Sequence, residues 1–193
     1  MTATLTPNPA SPPGMRRCRR DDAVVELWLG HVDGAPVAGR ESWLSESELD
    51  RARRYRFERD RHRFVNRRIF VREVLARYLD TDPGAIRLLT SQSGRLRLEP
   101  AAGLDMNTSH SDGLAVVAVT RGQPVGVDLE RLRPIDDATD LAEGLFQPAE
   151  ITAVQSTPEP CRSHAFLTLW TRKESFVKAT GEGLARPLDD FDV

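Results

Sequence analysis

Two acidic residues in a short apolar run are the first candidates for metal chemistry. The run V-G-V-D-L-E at residues 125–130 is typical of a strand, and residues two apart in a strand point to the same face. Asp128 and Glu130 therefore project together, at a spacing that can hold one hard divalent cation such as Mg²⁺. Because acidic side chains on a strand are commonly just solvated, an ordinary polar surface stays open as the alternative.

A second group of candidates stands near the C-terminal end, on a predicted helix. Trp170, Glu174 and Lys178 are spaced as i, i+4 and i+8, so a helix places them on one face. Glu174 can add a third carboxylate to an ion held by Asp128 and Glu130, and Lys178 can contact a phosphate or a leaving group. An ordinary Glu–Lys helix pair beside a core tryptophan is the alternative, because such pairs are common.

A histidine between two serines is the third candidate. Ser109, His110 and Ser111 precede a predicted strand, and the imidazole and nearby N–H groups can contact a phosphate there. A serine–histidine nucleophile pair is not supported, because neighbours in sequence seldom face each other and no G-x-S-x-G turn is present. A polar loop with a surface histidine is the alternative.

Arginine dominates the basic residues, since Lys173 and Lys178 are the two lysines among 27 Lys and Arg. Residues 51–77 carry eleven arginines and a local net charge of +8, whereas residues 126–193 carry −6. Guanidinium groups suit bidentate contacts to phosphate, so this division predicts an anionic ligand on one side of a site and a cation on the other. The arginines singled out are Arg51, Arg63, Arg67, Arg68 and, in a predicted hairpin, Arg95.

Two helices and a strand are predicted in the first half of the chain. The proline-rich residues 1–20 predict a disordered tail, and residues 24–32 predict the first strand. Ser45 and Glu48 form a capping-box pattern that opens a helix to about Phe57. The apolar spacing then predicts a longer helix over about residues 59–79.

The second half predicts hairpins followed by helices. One hairpin pairs residues 86–89 with 96–98 around a turn at 91–95, and another pairs 114–120 with 125–130. The later elements are a short helix near 136–143, a helix from Pro148, a long helix over 162–180 ended by Gly181, and the start of a strand at 187–193.

Composition limits the class of protein. The chain has 193 residues, 39% hydrophobic and 29% charged, with a net charge of −2, which suits a globular protein of one domain or two small lobes. No apolar run approaches the roughly 20 residues of a membrane span, and the net charge argues against a general nucleic-acid binder. Cys18 and Cys161 make no disulfide framework and no signal peptide is evident, so a reduced, cytoplasmic protein is expected.

In order and spacing, these motifs together resemble the 4′-phosphopantetheinyl transferases of the Sfp (surfactin synthetase-activating) type. The motifs that carry the resemblance are Gly94-Arg95, Ser109-His110-Ser111, the V-G-V-D-L-E run at 125–130, and W-T-R-K-E-S at 170–175 followed by Lys178. The resemblance covers roughly residues 23–193. Two positions depart from the family pattern, Phe64 after His62-Arg63 and Leu96 after Gly94-Arg95.

The resemblance implies an enzyme that moves the phosphopantetheine arm of coenzyme A onto a serine of an acyl or peptidyl carrier protein and releases adenosine 3′,5′-bisphosphate. Asp128, Glu130 and Glu174 would hold Mg²⁺, or alternatively Mn²⁺. Glu174 would be the base for the carrier serine, and Lys178 would steady the leaving group. The residues implied in coenzyme A binding are Arg51, Arg63, Arg95, Ser109, His110 and Lys173, of which Lys173 is expected to stabilise the site rather than react.

The implied fold is α+β, with two pseudo-symmetric lobes that each pack a small antiparallel sheet on a long helix. A basic N-terminal lobe is expected over residues 21–122 and a Mg²⁺-binding lobe over 123–193, truncated at the C-terminus so that a sheet edge is left unpaired. The partners implied are coenzyme A and a carrier protein, without nucleic acid or membrane, and the protein is expected to be a monomer. The alternatives are an Arg-rich phosphate- or nucleic-acid-binding adaptor without catalysis, and a metal-dependent phosphohydrolase.

Overall fold

The computed structural model describes residues 15–19, 25–91, 94–182 and 186–193, with backbone alone at 15–19. The fold is α+β, as expected. The strands are β1 Met15–Arg19, β2 Val25–His31, β3 Arg87–Thr90, β4 Leu96–Glu99, β5 Leu104–Ser111 and β6 Leu114–Arg121. The helices are α1 Glu46–Arg53, α2 Glu58–Leu79, α3 Ala138–Leu145, α4 Pro148–Ser156 and α5 Glu159–Thr180. None of the helices in the described ranges is long and apolar enough to cross a membrane.

A four-stranded antiparallel sheet, in the order β1-β2-β6-β5, forms the centre of the N-terminal part. The helix α2 covers one face of it, because Val71, Val74 and Leu75 recur at helical spacing and pack with Met106 and Val117 in one buried cluster. Strand β6 is buried on both faces along most of its length. Its second face packs against the chain that follows it, in another apolar cluster.

Residues 125–130 of that following chain were predicted as a strand, and this prediction is wrong, since the segment joins no sheet among the described residues. Side-chain oxygens of β5, rather than the backbone of a neighbouring strand, accept hydrogen bonds from its amides. Val125 N donates to Asp105 Oδ2 at 2.8 Å, Val127 N to Asn107 Oδ1 at 3.2 Å, and Arg131 N to Ser111 Oγ at 2.9 Å. The segment therefore runs beside β5 and parallel to it.

Close contact with α5 fixes the other side of this segment. A Cβ atom on Gly126 would stand 1.9 Å from the carbonyl oxygen of Ser175 and 2.5 Å from the amide nitrogen of Ala179. The glycine in the run at 125–130 is thus explained by the approach of two backbones. Helix α5 ends where predicted, at Gly181 with a positive φ of 78°.

Other boundaries confirm or correct the sequence-based predictions. The capping box of Ser45 and Glu48 is present, although α1 ends at Arg53 rather than near Phe57. Strand β1, within the predicted tail, pairs antiparallel with β2. Residues 188–190 form a 3-10 turn in place of the predicted strand. Strand β5 was missed, and the predictions for residues 1–14, Val24 and the hairpin residues 92–93 lie outside the described residues.

The predicted N-terminal and C-terminal parts differ in their elements. Both described sheets lie before residue 122, and the described part of residues 123–193 contributes α3, α4 and α5 without a strand. The helices pack around a separate apolar cluster that includes Phe146, Val154 and Phe166. The two-lobe division of the chain stays a prediction.

Candidate functional site

A cavity of about 310 Å³ opens between α2, β5, the β3–β4 hairpin and the last turn of α5. Its apolar lining includes Phe64, Val116 and Val177. Its polar lining comprises Arg51, Arg67, Arg68, Arg95, Asn107, Thr108, Ser109, His110 and Lys178. Three of the sequence motifs therefore meet around one space, although they are far apart in the chain.

Asp128 forms the carboxylate end of this region. Its side chain is 5% exposed, and Oδ1 accepts hydrogen bonds from Ser109 Oγ at 2.8 Å and from Lys178 Nζ at 2.6 Å. Its other oxygen, Oδ2, is buried and has no hydrogen-bond partner among the described residues. An unpaired buried carboxylate oxygen is costly, so this atom is suited to a cation.

Glu130 and Glu174 lie near Asp128. Burial raises the pKa of Glu174, Lys178 opposes this shift, and the carboxylates of Asp128 and Glu130 raise the pKa further. Glu130 accepts a hydrogen bond from Ser111 Oγ at 3.3 Å. The charges of Asp128 and Glu130 thus act on Glu174, and a metal site shared by the three carboxylates stays a prediction.

These carboxylates do not form a closed ligand set. Throughout the part of the chain that the structure describes, no three His, Cys, Asp or Glu side chains are grouped so that they could hold a metal ion. In this arrangement the ammonium group of Lys178 supplies the positive charge beside Asp128. The hard oxygen donors and the unpaired Oδ2 atom still fit a divalent cation in their chemistry.

Three arginines surround Phe64 on the α1–α2 side of the cavity, and we call this group the arginine wall. The guanidinium carbons of Arg51, Arg67 and Arg68 lie 5.4, 6.0 and 5.1 Å from the centre of the Phe64 ring. This distance favours a cation over an aromatic face. Positions 64, 67 and 68 are i, i+3 and i+4 on α2, so one helix face carries the ring and two of its cations.

The charges of the arginine wall are only partly neutralised. Arg68 Nε lies 3.2 Å from Glu48 Oε1, whereas Arg51 and Arg67 form no ion pair with a described carboxylate. Burial lowers the pKa of Arg67 to about 10, with the charges of Arg68 and Arg51 adding to the effect. Arg67 stays protonated at neutral pH, and the wall therefore suits an anion.

Arg95 reaches the cavity, but its guanidinium is already bound by the protein. Nη1 donates to Lys178 O at 2.6 Å, and Nη2 donates to Asp105 Oδ2 at 2.8 Å. Longer bonds run from Nη2 to Met106 O at 3.4 Å and to Val125 O at 3.3 Å. The sequence indicated a cation here and could not indicate these partners.

The structure does not bring Arg63 or Lys173 to the cavity. Arg63 Nε donates to Asp33 Oδ1 at 2.6 Å, and this bond holds the pKa of Asp33 below its usual range. Lys173 is 0% exposed and lies 2.8 Å from Glu150 Oε2, with further bonds to the carbonyls of Leu188 and Phe191. Lys173 thus anchors the C-terminal segment to α4 and α5, away from the site.

Four further predicted residues line the cavity, whereas Asp128, Glu130 and Glu174 do not. Arg51 lies in its arginine wall, Ser109 and His110 are on β5, and Lys178 is on α5. The sequence analysis named Arg67 and Arg68 among the candidate arginines but did not select them as ligands. Their i+3 and i+4 spacing from Phe64 is the signal that could have found them.

Comparisons with known proteins agree with the motifs. A family model described as the 4′-phosphopantetheinyl transferase superfamily matches residues 124–193. The chain is 37% identical over 174 residues to 4′-phosphopantetheinyl transferase HetI of Nostoc sp., covering 88% of this chain and 73% of that protein. It is 32% identical over 152 residues to 4′-phosphopantetheinyl transferase Sfp of Bacillus subtilis, covering 79% and 66%. A further Bacillus subtilis 4′-phosphopantetheinyl transferase is 30% identical, with 88% and 76% covered.

Proposed function

The chain belongs to the 4′-phosphopantetheinyl transferase family, and from that premise we propose that it transfers the 4′-phosphopantetheine group of coenzyme A to a serine of an acyl or peptidyl carrier protein. Adenosine 3′,5′-bisphosphate is the second product, and Mg²⁺ is required. The observation that carries this proposal is that Ser109 and Lys178, which both bond to Asp128, line the same cavity as Arg51 and Arg67, which have no described carboxylate partner.

The charges of the cavity support coenzyme A as the donor. Coenzyme A carries one phosphate on its ribose and a separate pyrophosphate group. Its binding site therefore needs positive charge at more than one place. Arg51 and Arg67 offer guanidinium groups at the arginine wall, His110 lines the same cavity, and Lys178 offers its ammonium group beside Asp128. Bidentate guanidinium contacts suit the wall to a phosphate monoester.

Asp128, Glu130 and Glu174 would hold the divalent cation, since the buried Oδ2 of Asp128 has no described partner and the other carboxylates lie nearby. When bound, Mg²⁺ neutralises charge on the phosphates, the main need in phosphoryl transfer. Lys178 donates to Asp128 Oδ1, and a second of its three N–H donors would bind the leaving phosphate.

Glu174 is the base in this proposal. It would accept the proton of the carrier serine while the serine oxygen bonds to the phosphorus that carries the pantetheine arm. The bond from that phosphorus to the bridging oxygen of adenosine 3′,5′-bisphosphate then breaks, and Lys178 stabilises the negative charge on the oxygen.

The direct test combines the folded chain, an apo carrier protein, coenzyme A and Mg²⁺, followed by intact mass measurement of the carrier. We expect a gain of one phosphopantetheinyl group, which is lost when the carrier serine is replaced by alanine. No gain on fatty-acid, polyketide or peptide carriers would overturn the proposal. Release of phosphate without a carrier would favour a phosphohydrolase, and tight binding to nucleic acid that falls steeply with salt would favour an adaptor. Action as a monomer in the cytoplasm belongs to the same proposal.

A further inference from the structure

Arg95 joins three separate parts of the chain around the site. Its guanidinium donates to the side chain of Asp105 on β5, to the carbonyl of Val125 in the segment before Asp128, and to the carbonyl of Lys178 on α5. Its side chain is 12% exposed. A planar guanidinium with five donors in a rigid fork is suited to joining several acceptors.

These contacts close into a ring with the reaction centre. Asp105 Oδ2 accepts from Arg95 Nη2 at 2.8 Å and from Val125 N at 2.8 Å. Val125 leads within three residues to Asp128, whose Oδ1 accepts from Lys178 Nζ at 2.6 Å. Lys178 O accepts from Arg95 Nη1 at 2.6 Å, which completes the ring.

We propose that Asp105 and Arg95 are positioning residues that fix Asp128 and Lys178 relative to each other, an inference that rests on the transferase function proposed above. Asp105 does not line the cavity. It lines a separate groove of about 400 Å³, which Arg95 also lines. Its described hydrogen bonds come from Arg95 and from Val125 N, so we expect it to influence transfer through these two residues. Arg95 holds protein groups in this role and does not serve mainly as a phosphate ligand.

Helix geometry explains why the carbonyl of Lys178 is available to Arg95. The last four carbonyls of a helix have no partner within it, and Lys178 stands two residues before the end of α5 at Thr180. A cation at a helix C-terminus also interacts favourably with the helix dipole. Arg95 thus ties the turn that carries Lys178 to the sheet that carries Asp105.

The experiment measures kcat and KM for coenzyme A in Asp105→Ala, Asp105→Asn, Arg95→Lys and the Asp105→Ala/Arg95→Lys double variant. We expect Asp105→Ala and Arg95→Lys each to lower kcat about ten- to a hundredfold, because small misplacements of reacting groups are costly. KM should stay within about twofold, and the double variant should be no slower than the slower single variant, since both changes open one ring. The control is Asp50→Asn, which removes an exposed ion pair with Arg53 and should leave both constants unchanged.

The opposite pattern would overturn the inference. If Arg95→Lys raises KM with kcat intact while Asp105→Ala behaves like the wild type, Arg95 is a phosphate ligand. Amide hydrogen exchange of Val125 supplies a measurement that needs no activity and separates this failure from failure of the transferase proposal. Val125 should exchange at least about tenfold faster in Asp105→Ala than in the Asp50→Asn control, because it loses its acceptor. Unchanged exchange rules out the ring even if the chain is inactive, and Asp105→Leu, which also removes the acceptor, serves if the alanine variant does not fold.

Discussion

The arginine wall and the Asp128–Lys178 pair are held by different contacts. At the arginine wall, Arg51 and Arg67 have no described carboxylate partner and pack against one aromatic ring. By contrast, Asp128 and Lys178 form hydrogen bonds with each other and with the surrounding protein. The arginine wall therefore has positive charge that no described carboxylate neutralises, whereas the side chains of Asp128 and Lys178 are fixed in position.

This difference indicates how each group responds to mutation. Surplus charge binds a phosphate in either the ground state or the transition state, so its loss should raise KM with little change in kcat. Fixed geometry matters most when charge develops during transfer, so its loss should lower kcat. The predictions below test this division, beginning with the reaction centre.

Replacing Asp128 by asparagine should have the largest effect. Asn keeps the size of the side chain but removes the negative charge that Lys178 contacts and that a divalent cation needs. We expect transfer to fall by about 10²–10³-fold or more, as when one group that stabilises the transition state is lost. Intact mass of the carrier measures the rate, and circular dichroism checks the fold. Near-normal transfer in a folded Asp128→Asn protein would show that the metal site is elsewhere.

Replacing Gly126 by alanine should disturb both stability and rate. The added Cβ would stand 1.9 Å from Ser175 O, so the segment that carries Asp128 must move away from α5. Overpacking typically costs about 1–3 kcal/mol, and we expect at least that loss in the free energy of unfolding together with a lower kcat. Urea unfolding and transfer rates measure the two effects.

Gly144 provides the matched control for this change. It lies in α3, and a Cβ atom there would meet no atom within 4 Å. Gly144→Ala should leave transfer unchanged and stabilise the protein slightly, because glycine costs about 0.5–1 kcal/mol relative to alanine inside a helix. Equal losses in the two variants would contradict the close-approach role of Gly126.

The sequence predicted the helices of this site better than its strands. Apolar spacing identified α2, and the capping box located the start of α1, because both signals are local. Strand β5 was missed because Asn107, Ser109 and Ser111 resemble a polar loop. These side chains are polar because they bond to the segment about twenty residues later, and such a partner cannot be deduced from local pattern.

The same reason explains the outcome for the candidate site. Motif spacing predicted Asp128, Glu174 and Lys178 as neighbours, and Asp128 and Lys178 are in direct contact. It could not show that Asp105 binds Arg95 or that Glu150 binds Lys173. Ion pairs between distant residues depend on how the elements pack, so residue type alone assigns a charge without its partner.

Replacing Lys178 by arginine should lower turnover by an intermediate amount. Arginine keeps the positive charge beside Asp128, but it is larger and does not readily release a proton. We expect kcat to fall about tenfold while KM for coenzyme A changes little, as measured by steady-state transfer to a carrier. If turnover is unchanged, the positive charge at position 178 is sufficient and proton release by Lys178 is not required.

The smallest effect is expected at the arginine wall, where two arginines can be compared directly. Family resemblance assigns Arg63 to coenzyme A, whereas the cavity contains Arg67 and leaves Arg63 bonded to Asp33. Arg67→Met should raise KM for coenzyme A about tenfold, in line with the loss of a charge-assisted hydrogen bond, and leave kcat nearly unchanged. Arg63→Met should change KM less, because its partner is a protein carboxylate. Titration of coenzyme A binding by calorimetry checks the order, and a larger loss in Arg63→Met would place the phosphate outside the arginine wall, on the side of α2 that faces Asp33.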